Sequence, residues 1–357
     1  MRASRFGSAM GFMARRVVGR ITGSGREVPG LPAAGWSDFV TVSDGSRLFV
    51  RIFSSDATTA APSTPNPTVV TVVLVHGFNL SGESWFFQVD RLMQSPGVRV
   101  VVPDLRGHGR STRPLEKRNL EKLNVEDTSR DLVDVLRQVV PGVDAGTSGP
   151  VMLVGHSMGV MTVLGALRLM PEAMLRRVGA VALINGAIDT FASAGITRVL
   201  GSLPARGLRA AWGKAPRGME WVKDRADVLL KPVLAGFVYH GQLEEGVSAD
   251  FDVVDFHAEE IGRTPMSTLL AFVDDLVEHD ETDAAPYLKG IPGVVMVGKR
   301  DDVTPAEQTR KIAEAWPGGV ELVEFPDSGH MLPVECPEAV NAKLAGLLAR
   351  LQWGHPA

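Results

Sequence analysis

The sequence predicts an α/β protein: a mostly parallel sheet of eight strands, flanked by helices and interrupted by a helical insertion. Two features indicate this class. Short runs of Val, Leu and Ile alternate along the chain with longer stretches whose apolar residues recur at helical spacing, an order typical of α/β sheets. Several of the short runs are apolar at nearly every position, as strands are when both faces of a parallel sheet are covered.

The strand-like runs begin with a hairpin. Its two strands are joined at Asp44 and Gly45, a dipeptide typical of tight hairpin turns. The segment 54–68 that follows is rich in Ser, Thr, Ala and Pro, which predicts an exposed loop. The predicted strands cover residues 39–42, 47–53, 69–75, 99–102, 151–154, 180–184, 294–297 and 321–325.

Helices are predicted over residues 125–140, 157–170 and 338–351. The stretch 188–286 breaks the alternation, because it has no convincing strand run and reads as several helices, one of them over 267–279. We expect a cap here, since ligands of α/β sheets bind outside the carboxyl ends of the strands. Packing without a role in the chemistry is the alternative. The predicted units are an N-terminal segment 1–37, a first core part 38–187, the helical cap 188–286 and a second core part 287–357.

Composition sets further bounds. The 357 residues are 45% hydrophobic and 22% charged, enough to fill a sizeable core. The net charge of −4 shows no basic excess that would indicate a nucleic-acid partner. Cys336 is the only cysteine, which excludes a disulfide framework and a cysteine-rich zinc site and fits a reducing, cytoplasmic location. No run approaches the roughly 18 apolar residues of a membrane-spanning helix.

The N-terminus is cationic. Residues 1–26 contain six arginines and no acidic residue. A helix over 5–21 would gather apolar side chains on one side and arginines on the other, with some mixing. Such a helix can lie on an anionic membrane surface, so peripheral membrane contact is one expectation. A helix that packs on the protein body is the alternative.

The strongest local signal is Gly155-His156-Ser157-Met158-Gly159. It follows an apolar strand and precedes a helical pattern, the context in which a G-x-S-x-G sequence forms a nucleophile elbow. A sharp strand-to-helix turn holds the serine in a strained conformation, and only glycines fit beside it. We therefore expect Ser157 to be the nucleophile and the Met158 amide to donate to an oxyanion.

A second oxyanion donor and a base complete the pattern. The loop after the strand 69–75 begins with His76 and Gly77, and we assign the second donor to the amide of Phe78. His76 precedes the nucleophile and is not expected to be the base. His330 follows the last strand on a loop beside Gly329, from which an imidazole can reach the serine.

The supporting acid is predicted to be Asp301, which follows the penultimate strand. Asp302 is the runner-up and Asp189 a remote third. Ser157, Asp301 and His330 occur in the chain order expected for this constellation. No metal or cofactor is expected to take part.

These motifs together resemble the α/β-hydrolase superfamily over residues 38–187 and 286–352. The resemblance implies an esterase, lipase or related acyl hydrolase. The loop 104–111 is expected to be mainly structural in that family. The motifs that carry the resemblance are His76-Gly77, Asp104-Leu105-Arg106-Gly107-His108-Gly109-Arg110-Ser111, Gly155-His156-Ser157-Met158-Gly159, the segment 298–305 and Gly329-His330.

Several activities stay open at this point. Epoxide hydrolases and haloalkane dehalogenases of this fold use an aspartate at the elbow, so Ser157 argues against them. Ester, lipid and thioester hydrolysis all fit, as does a triad-dependent carbon–carbon hydrolase or lyase acting on a biosynthetic intermediate. A hydrolase-like binding protein without activity would predict a damaged triad or a missing oxyanion loop, and neither is seen in the sequence.

The substrate is expected to be a small molecule with an apolar acyl group, because the predicted cap is rich in apolar and aromatic residues. Asn79 and His156 are expected to contact it from the core. Trp212 and Phe237 are expected to contact it from the cap. Ordinary core packing, the commoner role of such residues, is the alternative for each.

Overall fold

The computed structural model describes residues 29–55, 64–111, 123–190 and 251–353. The predicted N-terminal helix over 5–21 and the cap residues Trp212 and Phe237 lie outside these ranges. Membrane contact through the N-terminus therefore stays a prediction. Within the described ranges, no helix is both long enough and apolar enough to cross a bilayer.

Eight strands form one sheet, as the sequence predicts, in the order β1-β2-β4-β3-β5-β6-β7-β8. The hairpin pair β1 and β2 is antiparallel, β2 also runs antiparallel to β4, and the remaining neighbours are parallel. The strands are β1 Trp36–Thr41, β2 Arg47–Ser54, β3 Val70–Val75, β4 Val98–Pro103, β5 Val151–His156, β6 Val178–Ile184, β7 Gly293–Gly298 and β8 Glu321–Phe325.

Residues along the central strand β3 explain why it reads as a continuous apolar run. Val73 and Val75 pack into the core on one face of the sheet, and Val72 and Leu74 pack into the core on the other. All four side chains are completely buried. Side chains alternate across a strand, so a strand covered on both faces needs an apolar residue at every position.

Nine α-helices surround this sheet in the described ranges. The predicted helices 125–140, 157–170 and 338–351 correspond to α2, α3 and α9, and the predicted helix 267–279 corresponds to α6. The helices are α1 Phe86–Met93, α2 Val125–Val139, α3 Met158–Leu169, α4 Glu172–Leu175, α5 Phe251–Arg263, α6 Met266–Glu278, α7 Ala306–Ala315, α8 Leu332–Glu335 and α9 Pro337–Trp353.

The described part of the predicted cap is helical. It comprises α5, α6 and a 3₁₀ helix at Thr282–Leu288. Helix α6 reaches the core, because Phe272 is completely buried in the same apolar cluster as residues of α2 and α3. The role of residues 188–286 as a cap stays a prediction, as do the domain boundaries.

Strand order indicates where on the sheet a ligand is expected to bind. The chain passes from β3 to β4 on one side and then from β4 across to β5 on the other, so the order reverses between β3 and β5. In open α/β sheets, ligands bind outside the carboxyl ends of strands at such a reversal. The loop containing Gly77 leaves β3 at this point, and Ser157 leaves β5 directly beside it.

Candidate active site

Ser157 occupies the turn between β5 and α3. Its backbone has φ 55° and ψ −121°, and it is the N-cap of the helix. Glycines on either side permit the turn: a Cβ on Gly155 would lie 2.5 Å from the carbonyl oxygen of Gly159, and a Cβ on Gly159 would collide with the carbonyl oxygen of Val75. The side chain is thus presented on a strained, tightly packed turn, as predicted for a nucleophile elbow.

Two backbone segments that could bind an oxyanion meet at this serine. Met158 is the first residue of α3, where an amide has no carbonyl partner within the helix. The loop carrying Phe78 passes against the elbow, since a Cβ on Gly77 would lie 3.0 Å from the Cβ of Ser157. The Leu80 amide donates to the Gly77 carbonyl at 3.3 Å and closes this loop into a turn.

His330 and Asp301 come together on the loops after the two last strands. Nδ1 of His330 lies 2.8 Å from Oδ2 of Asp301. Because the carboxylate accepts at Nδ1, Nε2 is left as the basic nitrogen of a neutral imidazole. Among the described residues, no hydrogen bond yet joins His330 to the hydroxyl of Ser157, and such bonds often tighten only when substrate binds.

The Asp301 carboxylate is held by several donors. Oδ1 accepts from the amides of Val303 and Thr304 at 2.8 and 2.9 Å. Oδ2 accepts from Asn185 Nδ2 at 2.7 Å and from the Thr304 hydroxyl at 2.9 Å. Burial by itself would raise the pKa of Asp301, but His330 and these donors outweigh it and hold the pKa below its usual value. The carboxyl therefore stays ionised beside the imidazole.

The other two acidic candidates differ in their surroundings. Asp189 forms an ion pair with Lys311, with Nζ 2.8 Å from Oδ2. Asp302 adjoins Asp301 in the chain but is half-buried, whereas Asp301 is fully enclosed. Of the three carboxyl groups considered from the sequence, the structure brings Asp301 to the imidazole.

His156 contacts the loop that carries His330. Its Nε2 lies 2.8 Å from the carbonyl oxygen of His330, and the two ring centroids are 5.0 Å apart. Burial, followed by the proximity of His330, lowers the pKa of His156 to about 3, so the ring is neutral. The expected substrate contact of His156 stays a prediction. Its hydrogen bond favours a role in holding His330.

Asn79 lies next to Phe78 on the loop that follows β3. It adopts φ 61°, a left-handed conformation that Asn tolerates better than most residues. Its Oδ1 is buried without a hydrogen-bond partner in the described part of the chain. An acceptor in this position fits the expected substrate contact, which stays a prediction. Trp212 and Phe237, the two other expected contacts, fall outside the described residues.

His76 holds the start of the loop that carries Phe78. Its Nε2 accepts from the Leu105 amide at 2.9 Å, and Nδ1 donates to the Gly77 carbonyl at 2.8 Å. Burial lowers the pKa of His76 to about 3, so it is neutral and both nitrogens are occupied. This arrangement agrees with the expectation that His76 is not the catalytic base.

The loop 104–111 has structural contacts. The Asp104 carboxylate accepts from the amides of Gly82 and Arg110, each at 2.7 Å. The Arg106 guanidinium donates to both oxygens of Asp131 at 2.5 and 2.6 Å. These bonds hold the loops that follow β3 and β4 and tie the second loop to α2.

Sequence reasoning missed two residues of this site. Asn185 donates to Asp301, and its φ of 49° orients it from the end of β6. Its position directly after a buried strand was a usable signal, because Ser157 and Asp301 also follow strands at that edge. Glu335 accepts from backbone amides beside His330. Only its acidic character within an apolar segment could have drawn attention to it.

The strand order and the serine on the turn after β5 define an α/β-hydrolase fold. Comparison with known proteins agrees, since the profile of the alpha/beta hydrolase family matches residues 72–343. The chain therefore belongs to this family of hydrolases.

Two relatives and one solved structure illustrate the similarity. The chain is 28% identical over 280 residues to the dihydrolipoyllysine-residue acetyltransferase component of the acetoin cleaving system of Pseudomonas putida, covering 78% of this chain and 63% of that protein. It is 28% identical over 315 residues to epoxide hydrolase A of Mycobacterium tuberculosis, covering 80% of this chain and 92% of that protein. An esterase from Exiguobacterium antarcticum superimposes with a TM-score of 0.64 at 18% identity, covering 87% of this chain and 98% of that one. The 18% identity to the esterase structure shows a shared fold alone.

Proposed function

We propose that the protein hydrolyses a carboxylic ester or thioester with an apolar acyl group, through an acyl-enzyme on Ser157. The observation that carries this proposal is the 2.8 Å contact between His330 and Asp301 at the same edge of the sheet as the serine turn. A serine hydroxyl is a weak nucleophile until a base accepts its proton, and a base works best when a carboxylate fixes its tautomer.

The first half of the reaction forms the acyl-enzyme. Nε2 of His330 accepts the hydroxyl proton while Ser157 Oγ bonds to the carbonyl carbon. The amides of Phe78 and Met158 donate to the oxygen that becomes negative. The imidazolium then gives its proton to the leaving oxygen or sulfur as the bond to the acyl carbon breaks.

Water completes the cycle. His330 takes one proton from the water as its oxygen attacks the acyl carbon. The tetrahedral intermediate collapses, the bond to Ser157 breaks, and His330 returns the proton to Oγ. Asp301 remains ionised throughout and stabilises the imidazolium that forms in each half-reaction.

Epoxide hydrolysis is the main competing activity, because three of the similar proteins carry that name. A carboxylate that opens an epoxide forms an ester, whose carbonyl carbon can then be attacked by water. The hydroxyl of Ser157 would instead form an ether, which offers water no carbonyl carbon. The identity of the nucleophile therefore favours acyl substrates over epoxides.

The test is hydrolysis of p-nitrophenyl esters from acetate to palmitate, together with labelling by a fluorophosphonate probe. We expect Ser157→Ala to abolish both turnover and labelling. Ser148→Ala is a matched control, because Ser148 is equally buried but lies at the opposite end of β5. It should keep both. The chain length with the highest kcat/KM would define the acyl pocket.

Three other outcomes would contradict the ester proposal. Labelling of Ser157 without turnover of any ester or thioester would favour a carbon–carbon hydrolase or lyase with a narrow substrate. No labelling and no turnover in the wild type would favour a hydrolase-like binding protein. Turnover of styrene oxide that survives Ser157→Ala would point to an epoxide activity with a different nucleophile.

A further inference from the structure

Glu335 is a completely buried carboxylate that the proposed chemistry does not use. It lies in the short helix α8, directly after the loop that carries His330. Its two oxygens accept from the amides of Gly329 and Met331 at 2.7 and 2.8 Å. These are the residues immediately before and after His330, so one side chain fixes the backbone on both sides of the base.

Neutral groups hold the same loop at other points. Asn185 donates to the Gly329 carbonyl at 3.1 Å, and His156 contacts the His330 carbonyl at 2.8 Å. The Ser328 hydroxyl lies 3.0 Å from Sγ of Cys336. Glu335 differs from these groups because it can bring a negative charge as well as hydrogen bonds.

Few charged groups lie near this carboxyl in the part of the chain that the structure describes. Burial raises the pKa of Glu335, the two amides act in the opposite direction, Asp301 raises it further and His330 lowers it. Among the described residues, the titratable groups around His330 are Asp301 from the loop after β7, His156 from the end of β5 and Glu335 from α8. His156 is neutral, which leaves the two carboxyl groups as the charged members of this described set.

We propose that Glu335 is a positioning residue for the base: it orients His330 through the two flanking amides and adds a buried negative charge that stabilises the imidazolium. The inference rests on the proposed function only in naming His330 as the base. The effect on the imidazole itself can be measured without any turnover. A carboxylate that accepts two charge-assisted hydrogen bonds gives strong geometric control, and small errors in the position of a catalytic group reduce rates steeply.

The decisive variant is Glu335→Gln. It has nearly the same shape, but it loses the charge, and its amide nitrogen cannot accept from a backbone N–H. We expect kcat to fall about 10- to 100-fold, with KM changed less than about threefold, because the base is misplaced whereas the substrate site is not. We also expect the NMR titration midpoint of the His330 imidazole to fall by about 0.5 to 1 pH unit, because a nearby negative charge favours the protonated ring.

Two further variants separate charge from geometry. Ser328→Ala removes a neutral contact from the same loop, so the titration midpoint should stay within about 0.2 pH units of the wild type. Glu335→Asp keeps the charge but is too short to reach both amides. The His330 titration midpoint should therefore return most of the way to its wild-type value, whereas kcat should remain about tenfold low. If Glu335→Gln does not fold, the test is made on Glu335→Asp. A kcat of Glu335→Asp equal to that of the wild type would then overturn the proposal.

The result that overturns the inference is a folded Glu335→Gln whose His330 midpoint matches the wild type and whose kcat is within about twofold of it. A loss of stability with an unchanged midpoint would also overturn it, because a purely structural side chain would act that way. A protein that turns over no ester, yet shows the shifted midpoint, would instead contradict the proposed function and leave this inference standing.

Discussion

Nδ1 of His330 lies 2.8 Å from Oδ2 of Asp301, although the two residues are 29 positions apart in the chain. The contact arises because β7 and β8 are parallel neighbours, so the loops that follow them leave the sheet at the same edge. A neighbouring carboxylate fixes the imidazole tautomer and stabilises the imidazolium. The topology of the sheet thus brings the proposed acid and the proposed base together as a pair.

The first prediction concerns this pair. Asp301→Asn should lower kcat on an active ester about 10⁴-fold, because an amide can present its N–H to Nδ1 and stabilise the wrong tautomer. KM should change little. Steady-state kinetics at pH 7.5 measures both values, and a thermal melt checks that the variant is folded.

Asp302→Asn is the matched control for that experiment. It makes the same chemical change one position along the chain, and it should leave kcat within about threefold of the wild type. The assignment of the acid would be wrong if Asp302→Asn were the variant that lost activity. Equal losses in both variants would mean that the loop conformation, not the Asp301 carboxylate, limits the rate.

The sequence predicted every strand of the sheet. Strands β3 to β7 are identifiable because strands buried on both faces must be apolar at nearly every position, whereas β1 and β8 are partly exposed. The prediction missed the start of β1, which begins at Trp36 although the apolar pattern begins at Phe39. Residues Trp36, Ser37 and Asp38 are extended because they pair with Ile52, Arg51 and Val50 of β2. Such pairing is a tertiary effect that local composition does not encode.

The second prediction concerns strain at the elbow. Ser157 has φ 55°, which costs a residue with a Cβ about 1–3 kcal/mol and costs glycine little. Ser157→Gly should therefore be about 1 kcal/mol more stable than Ser157→Ala in urea unfolding, although both are inactive. At an ordinary helical position, alanine is more stable than glycine. Ala166 within α3 supplies the comparison, and Ala166→Gly should be destabilising. If the glycine variant is less stable than the alanine variant at Ser157 as well, the elbow stores no strain.

The third prediction concerns the contact between α6 and the loop that carries Phe78, the proposed oxyanion donor. The rings of Phe78, His108 and Phe272 form a triangle, with centroids 5.7 Å apart for two pairs and 5.9 Å for Phe78 and Phe272. Phe272→Leu removes one of the three rings and should lower kcat about tenfold. The Phe78 ring then loses a packing partner, so its backbone amide is held less firmly. KM should change less. Steady-state kinetics on the best ester provides the measurement.

Leu276→Ala is the control, since Leu276 lies one turn further along α6 in the same apolar cluster and has no ring contact with Phe78. We expect it to destabilise the protein by about 2–5 kcal/mol while kcat stays within about twofold. Comparable losses of kcat in both variants would mean that α6 acts only through overall stability.

Neither this triangle nor the contacts that Glu335 makes could be predicted from the sequence. Gly77 and Phe78 were identifiable because the loop follows a strand in a known motif context. Phe272 belongs to a helix that is separated from that loop by nearly 200 residues, and helical periodicity reports which face is apolar without reporting which residue it will meet. The candidate site was therefore predictable where it depends on strand ends, and not where it depends on contacts between distant helices and loops.

The last prediction concerns acid stability and His279, at the end of α6. This residue is buried, its Nε2 has no hydrogen-bond partner among the described residues, and burial lowers its pKa to about 4 despite the opposing influence of Asp280 and Ala187. Between pH 6.5 and about 4 the unfolded chain therefore binds this proton more readily than the folded protein does. The stability that the neutral His279 ring contributes is fully present above pH 6.5, and it is lost as the pH falls from 6.5 to about 4.

The variant His279→Gln removes this titration while keeping a polar side chain of similar length. Acidification from pH 7.5 to 5.0 should cost the wild type about 2 kcal/mol more unfolding free energy than it costs the variant, because 1.5 pH units below 6.5 at about 1.4 kcal/mol each are lost only in the wild type. Urea titrations at the two pH values measure the difference. Asp104 and Asp131, whose pKa values burial raises to about 6, change stability in the opposite sense with pH, but they are present in both proteins and cancel in the comparison. Equal losses in wild type and variant would show that His279 accepts a proton in the folded state without penalty.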